Sequence, residues 1–272
     1  MPSASPRLTG VPETMLWTLH NRASESLRPD AMLRDPEAER IYRAIPYDYR
    51  QSFGPADSSH AVRSLMFDEA VAAWMQAHPG GSVVELGCGL ETQFQRIDDG
   101  RVRWLCVDVP EAIEVRERFL PAGERCRHVR CSALDPAWMD EIPAGEVFVT
   151  AQGLLMYFDE STVRGLTVAL VERFPGVEFM FDTIPVWFSR KTVQGYWRTP
   201  HYKAPPMPWG IALHDAPATL RGWSPAIEEV RAMPYRNFRV GPGRYMSVFA
   251  RIPMLRAFMP GIVRLRSRSS AR

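Results

Sequence analysis

Apolar positions follow two regimes along the chain. Over residues 12–77 they recur every three or four residues, the spacing that gathers them on one face of a helix. Met15, Leu16, Leu19 and Ala23 share such a face behind a helix start at Pro12-Glu13. A second helix is expected from Asp35-Pro36, with Asp as cap and Pro in the first turn. Residues 46–59, with Pro46, Gly54 and Pro55, read as a loop. Val62, Leu65, Met66, Ala70, Ala73 and Trp74 then stripe a helix over 60–77, which His78-Pro79-Gly80-Gly81 ends. From residue 82 the pattern changes. The short apolar runs 82–86, 102–107, 128–131, 146–151 and 177–182 read as buried strands, with helical patterns at 110–119 and 160–174. Such alternation implies β-α-β units, a parallel sheet with helices on both faces. Residues 186–235 are rich in Pro, Trp and Tyr, have weak periodicity and read as an irregular insertion over the sheet edge. Residues 238–250, centred on Gly241-Pro242-Gly243, predict a closing β-hairpin.

The expected organisation is a single α/β domain over residues 11–265. It divides into a helical N-terminal cover (11–78), a cofactor-binding core (82–182), a substrate-side insertion (186–235) and the hairpin (236–251). A Pro/Ser-rich, disordered N-terminus (1–10) and a basic tail (266–272) flank it, the arginine cluster beginning at Arg264. With 46% hydrophobic residues a full core is available, and a net charge of +2 gives no reason to expect a nucleic-acid partner. The four cysteines, Cys88, Cys106, Cys126 and Cys131, form no C-x-x-C pair and have no histidine at zinc spacing, so no metal is expected. They read as reduced, core-packed thiols of a cytoplasmic protein. No basic start followed by an apolar run is visible, and no run approaches the roughly 20 apolar residues of a membrane span. Leu255, Phe258, Met259 and Ile262 within 252–265 are expected to pack onto the domain, because Pro253 and Pro260 interrupt a surface helix.

The strongest chemical signal is Val83-Val84-Glu85-Leu86-Gly87-Cys88-Gly89-Leu90, a buried strand running into a glycine turn where backbone approaches something closely. The next strand ends at Asp108, 21 residues after Gly87, where an acid can accept both hydroxyls of a ribose. Together they predict an adenosine-containing ligand. A dinucleotide fingerprint needs a glycine where Thr92 stands, and a phosphate loop needs a Lys-Ser/Thr pair that is missing. A ligand with one ribose and an amino-acid end, S-adenosyl-L-methionine, fits better.

The ordered pieces Gly10-Val-Pro-Glu-Thr-Met-Leu-Trp17, Asn21-Arg22-Ala23, Arg63-x4-Asp68, His78-Pro79-Gly80 and Glu85-Leu-Gly-Cys-Gly-Leu-Glu-Thr92 carry a resemblance, as do Val107-Asp-Val-Pro-Glu-Ala-Ile113, Ser132-Ala-Leu-Asp135 with Trp138, and Ala151-Gln-Gly-Leu-Leu-Met-Tyr157. Over residues 10–182 the chain resembles the leucine carboxyl methyltransferase superfamily, and within it bacterial polyketide O-methyltransferases of the tetracenomycin carboxyl methyltransferase type. The resemblance implies a Rossmann-like class I methyltransferase fold with a mostly parallel seven-stranded sheet. It implies that Arg63 pairs with the cofactor's methionine carboxylate, as its planar fork suits. It places the Glu85–Gly87–Gly89 turn at the aminoacyl part, Asp108 at the ribose and Ser132 and Ala133 beside the adenine, with Asp135 a weaker candidate. Two departures stand out. Gln152 replaces the family's usual Glu, and Glu91-Thr92-Gln93 replaces its common Asp-Thr-Arg, which leaves the cofactor contacts at 152 and 93 open.

Methyl transfer from a sulfonium is an in-line displacement in which the protein mainly aligns the acceptor. A carboxylate acceptor is already ionised; a phenol, with a pKa of about 10, would gain from a base. The acceptor is expected to be a small aromatic or polyketide-like molecule, and the composition and short insertion count against a docked protein C-terminus. Tyr157, His201 and Tyr202 are the catalytic candidates, with Trp209 on the acceptor side and Trp187 and Trp197 as aromatic walls. Each aromatic also reads as core packing, and His60 and His201 as structural. A catalytically silent binding protein stays open because of Gln152, and a nicotinamide oxidoreductase is disfavoured by Thr92. Oligomeric state is not legible.

Overall fold

The structure is a computed structural model that describes residues 9–236 and 259–269. The N-terminal cover consists of α1 (Thr14–Ser26), α2 (Pro36–Ala44), α3 (Tyr49–Phe53) and α4 (Ser59–Ala77). The Asp35 side chain accepts the Ala38 N–H at 2.9 Å, and Pro36 fills the first helical position, which removes an amide that would lack a partner. Asp48 caps the five-residue α3 in the same way, within the stretch expected to be loop.

The core runs β1 (Ser82–Leu86), α5 (Gln93–Ile97), β2 (Arg103–Asp108), α6 (Pro110–Glu117), β3 (Cys126–Arg130), β4 (Val147–Ala151), α7 (Glu160–Arg173) and β5 (Glu178–Thr183). Beyond it lie α8 (Val186–Val193), β6 (Trp197–Thr199), β7 (Tyr202–Lys203), α9 (Ala216–Arg221), β8 (Ile227–Pro234) and β9 (Gly261–Ser267). Seven strands form one sheet in the order β3-β2-β1-β4-β5-β9-β8, with β6 and β7 paired apart from it. Strands β1 to β5 are parallel, and β9 is antiparallel to both its neighbours. The chain moves outward from β1 to β3, then crosses back to β4, so the strand order reverses between β1 and β4. Ligands sit in such a crevice, beyond the carboxyl ends of the strands.

Strand alternation divides the core between the two faces. Val84, Leu86, Val149, Phe179 and Phe181 pack with Val163, Leu166 and Leu170 of α7 on one face. Val83, Cys106, Phe148 and Met180 meet Val62, Phe67, Val71 and Trp74 of α4 on the other. Each such buried side chain stabilises by about 1.5–3 kcal/mol. The cover's Leu16, Leu19, Ile41 and Phe53 close over Leu90, Ala112 and Val115.

The C-terminal third differs from expectation in two ways. The stretch read as irregular contains α8, the β6–β7 pair, α9 and β8. The hairpin expected at 238–250 lies outside the described residues; at the sheet edge β8 pairs antiparallel with β9. Strand β9 also takes up the start of the expected basic tail. Ile262, Val263 and Leu265 are buried in it, while Arg264 pairs with Glu178 and Arg266 with Glu228 and Glu229. No helix among the described residues is long and apolar enough to cross a membrane.

Candidate active site

The turn after β1 is held from both sides. Gly87 turns at φ +65°, its N–H donating to Val107 O at 2.8 Å, and a Cβ there would stand 2.9 Å from Leu154 Cδ1. At the end of β2, Asp108 accepts the Gly89 N–H on Oδ2 and the Val109 N–H on Oδ1, both at 2.8 Å. Burial pushes its carboxyl up from the usual range, against these two hydrogen bonds. Ionised, each oxygen keeps lone-pair capacity for a further donor.

Behind the turn lie two fully buried arginines. Arg22 Nη2 donates to Leu90 O at 2.7 Å, and Arg116 Nη1 donates to Gly89 O at 3.0 Å and Glu91 O at 2.6 Å. Three successive carbonyls of the turn are thus tied down away from the cavity, which fixes the backbone that faces it. The charges of Arg22 and of the neighbouring Arg96 are balanced locally, as a buried ion requires. Arg22 meets Asp35 at 2.7 Å and Glu91 at 3.2 Å, and Arg96 meets Asp35, Asp68 and Glu91 at 2.7–2.8 Å. Burial raises the Glu91 carboxyl's pKa, but Arg22 and Arg96 outweigh it and hold the group well below its usual range. Gln93 belongs to this network, donating to Asp68 at 2.9 Å, and points to no cofactor position.

Glu85 is a correction. Alternation along β1 turns it away from the cavity, to the face of Val83, where it is buried against Cys106 Sγ with Arg116 at 3.9 Å. Burial there pushes its carboxyl well up. The same buried region brings Cys106, Cys126 and His128 within metal-binding distance of one another, a cluster their spacing in sequence conceals. Arg116 donates to both Cys106 Sγ and His128 Nε2 at 3.3 Å, which engages two of the three groups with a fixed cation.

The other seven cofactor candidates converge. Arg63, Gly87, Gly89 and Asp108 line a cavity of about 250 Å³ at the switch point, and Ser132, Ala133 and Gln152 complete its wall. Asp135 instead caps the 3₁₀ turn Pro136–Glu141. Arg63 reaches the cavity from α4, its Nη1 donating to Asp182 Oδ2 at 2.9 Å. It passes so close to Gly153 (φ +71°) that a Cβ there would lie 2.8 Å from Nη1.

A second cavity of about 280 Å³ adjoins the first, sharing Thr14, Thr18, Arg63, Gly153 and Tyr157. Trp17, Phe188 and Tyr196 give it aromatic walls, and His60 and Arg198 polar ones. Tyr157 is the one catalytic candidate placed at the junction, presented by the 3₁₀ turn Leu155–Tyr157; burial pushes its phenol up to about 12. Tyr202 lies outside both cavities, packed on Phe53 at 4.8 Å between ring centres, and His201 is exposed beside it. Trp209 packs in the core beside Phe181 and Trp223, while Trp187 and Trp197 are largely exposed and line neither cavity. Trp17 lay within a motif of the resemblance; Phe188, Tyr196 and Arg198 come from the stretch without periodicity and had no signal.

Comparison with known proteins gives the family. The family model for leucine carboxyl methyltransferase matches residues 15–170, more than half of the chain. The chain belongs to the leucine carboxyl methyltransferase family. The tetracenomycin polyketide synthesis O-methyltransferase TcmP of Streptomyces glaucescens is 33% identical over 68% of this chain and 70% of its own. The S-adenosyl-L-methionine-dependent methyltransferase dpfgK of Gibberella zeae is 27% identical over 61% of this chain, which spans 62% of that protein. In fold, the CurJ carbon methyltransferase superposes with a TM-score of 0.53 at 10% identity, over 94% of this chain and 68% of that one. This leucine carboxyl methyltransferase family member is thus an S-adenosylmethionine-dependent methyltransferase, and its first cavity fits that cofactor. Gln152 has both amide atoms buried with no partner among the described residues, and Arg63 Nε is equally unmatched. Buried polar groups rarely remain so, and a ligand with an ammonium and a carboxylate matches an amide oxygen and a guanidinium.

Proposed function

We propose that the protein transfers a methyl group to an oxygen of a flat aromatic, polyketide-like small molecule seated in the second cavity. The carrying observation is that this aromatic-walled cavity shares Arg63, Gly153 and Tyr157 with the cofactor cavity. Aromatic walls suit a planar guest, and the relative named for tetracenomycin polyketide synthesis supports the same substrate class.

S-adenosylmethionine, when bound, supplies an electrophilic methyl group on a sulfonium. Arg63 and Gln152 would hold its aminoacyl end, the Gly87–Gly89 turn would lie against it, and Asp108 would accept from the ribose, with Ser132 and Ala133 beside the adenine. The acceptor side favours a carboxylate over a phenol, because the groups there do not offer a base. Tyr157 keeps its proton at neutral pH. Asp182 is already engaged by Arg63 at 2.9 Å, Tyr235 at 3.1 Å and the Gly153 N–H at 2.5 Å. An acceptor ionised on arrival needs only orientation, which can supply a large share of the rate enhancement.

Assay with isotopically labelled methyl donor and a panel of polycyclic aromatic acids and phenols tests this reading. Label should enter the acids and be released by mild base, as from an ester. Base-stable label on phenols would overturn the carboxylate preference. Cofactor binding without transfer to any acceptor would favour the catalytically silent reading that the neutral Gln152 suggests.

A further inference from the structure

Resting on that reading, we propose that His60 is an acceptor-binding residue locked by Asn21 as the Nε2–H tautomer, so that it and Arg198 donate to the acceptor's oxygen anion and select the ionised acid.

The lock follows from the donors and acceptors around Asn21. The Asn21 carbonyl Oδ1 accepts the Asp57 N–H at 3.3 Å, and its Nδ2 donates to Asp57 Oδ1 at 3.1 Å. A carboxylate only accepts, so these two bonds fix which end of the amide is nitrogen. The second Nδ2 hydrogen then points to His60 Nδ1 at 2.9 Å. An amide NH₂ group cannot accept, so Nδ1 presents its lone pair and the ring proton sits on Nε2.

The support behind Asn21 is built to hold. Asp57 is itself fixed by the Ser59 N–H at 2.9 Å, by the Ser59 hydroxyl and by Arg198 Nη2 at 3.4 Å. The imidazole stands edge-on to Trp17, 5.6 Å between ring centres, and Arg198 lies over the same indole at 5.1 Å. Arg198 is oriented by Phe53 O at 3.1 Å. Burial and the Arg63 charge hold His60 neutral, with Arg22 and Arg198 adding to them and Asp57 opposing. A neutral imidazole with its lone pair already committed can donate a hydrogen bond and cannot serve as the base. Arg63 and Arg198 line the same cavity beside His60, so guanidinium and imidazole N–H donors share the wall on which an oxygen anion would rest.

The test uses the full chain loaded with S-adenosylhomocysteine, with anthraquinone-2-carboxylate and its carboxamide as probes. Wild-type protein should prefer the acid by at least ~10-fold, the size expected of charge-assisted hydrogen bonds. His60→Leu should lose most of that preference without changing affinity for S-adenosylhomocysteine, and His60→Gln, which can keep a side-chain donor, should retain it. Nitrogen-15 NMR of histidine-labelled protein should show His60 neutral and protonated on Nε2. A proton on Nδ1, an unchanged preference in a folded His60→Leu variant, or no binding of the acid by wild type each overturns the proposal. If the acid preference depends on His60 but no methyl is transferred, the methylation reading fails and the binding role of His60 stands.

Discussion

Arg22→Met should lower the free energy of unfolding by about 3–5 kcal/mol, the usual cost of removing one partner from a buried ion pair. Arg22 is fully enclosed and donates at 2.7–3.2 Å to Asp35, Glu91, Thr92 and Leu90 O. Methionine fills much of the volume but leaves Asp35 and Glu91 to share Arg96 alone, and Asp68 already draws on Arg96. The cost is therefore an uncompensated buried carboxylate rather than lost packing. Chemical denaturation followed by circular dichroism measures it. Arg28→Ala, at an exposed surface pair, should change stability by no more than about 0.5 kcal/mol. An Arg22→Met variant as stable as that control would mean that the network does not support the turn.

Asp108→Asn should weaken S-adenosylhomocysteine binding by about 100-fold while leaving the fold intact. Two hydrogen bonds from ribose hydroxyls to a charged acceptor account for a loss of that order. The amide is nearly isosteric, but its NH₂ group meets the Gly89 or Val109 N–H donor-to-donor, which also loosens the turn. The wild type carries a matching pH signature. Because burial raises the Asp108 pKa above the ordinary carboxylate value, affinity should be full above that raised value and fall as pH drops through it. A side-chain amide does not titrate in this range, so the Asp108→Asn variant should lose this dependence. Titration calorimetry of both proteins across acidic to neutral pH reads both effects, and an unchanged affinity would remove Asp108 from the site.

The parallel core was legible because strands buried on both faces read as unbroken apolar runs. Strand β1 coincides with its expected range, and β2 to β5 fall within two residues of theirs at each end. Asp35, Gly87 and Asp108 were legible because each has a local role, as a cap, a turn and a strand end respectively. Glu85 was misplaced because its position in the motif says nothing about which face it takes; alternation along the strand decided that. Arg22, Arg96 and Arg116 escaped because buried charges are uncommon and the partners that balance them are distant in sequence, Glu91 lying 69 positions from Arg22. The acceptor-side walls were illegible for a different reason. Phe188 and Arg198 come from short elements and Tyr196 from the link between them, and packing, not their own periodicity, sets their direction.

The proposed methyl transfer requires the crevice between β1 and β4 to seat one nucleoside joined to an amino acid. Calorimetric titration of folded wild-type protein with S-adenosylhomocysteine tests it most directly. Saturable one-to-one binding, abolished or strongly weakened by Asp108→Asn, is the predicted result. A folded protein that shows no saturable binding, or binds equally well without the Asp108 carboxylate, would contradict it.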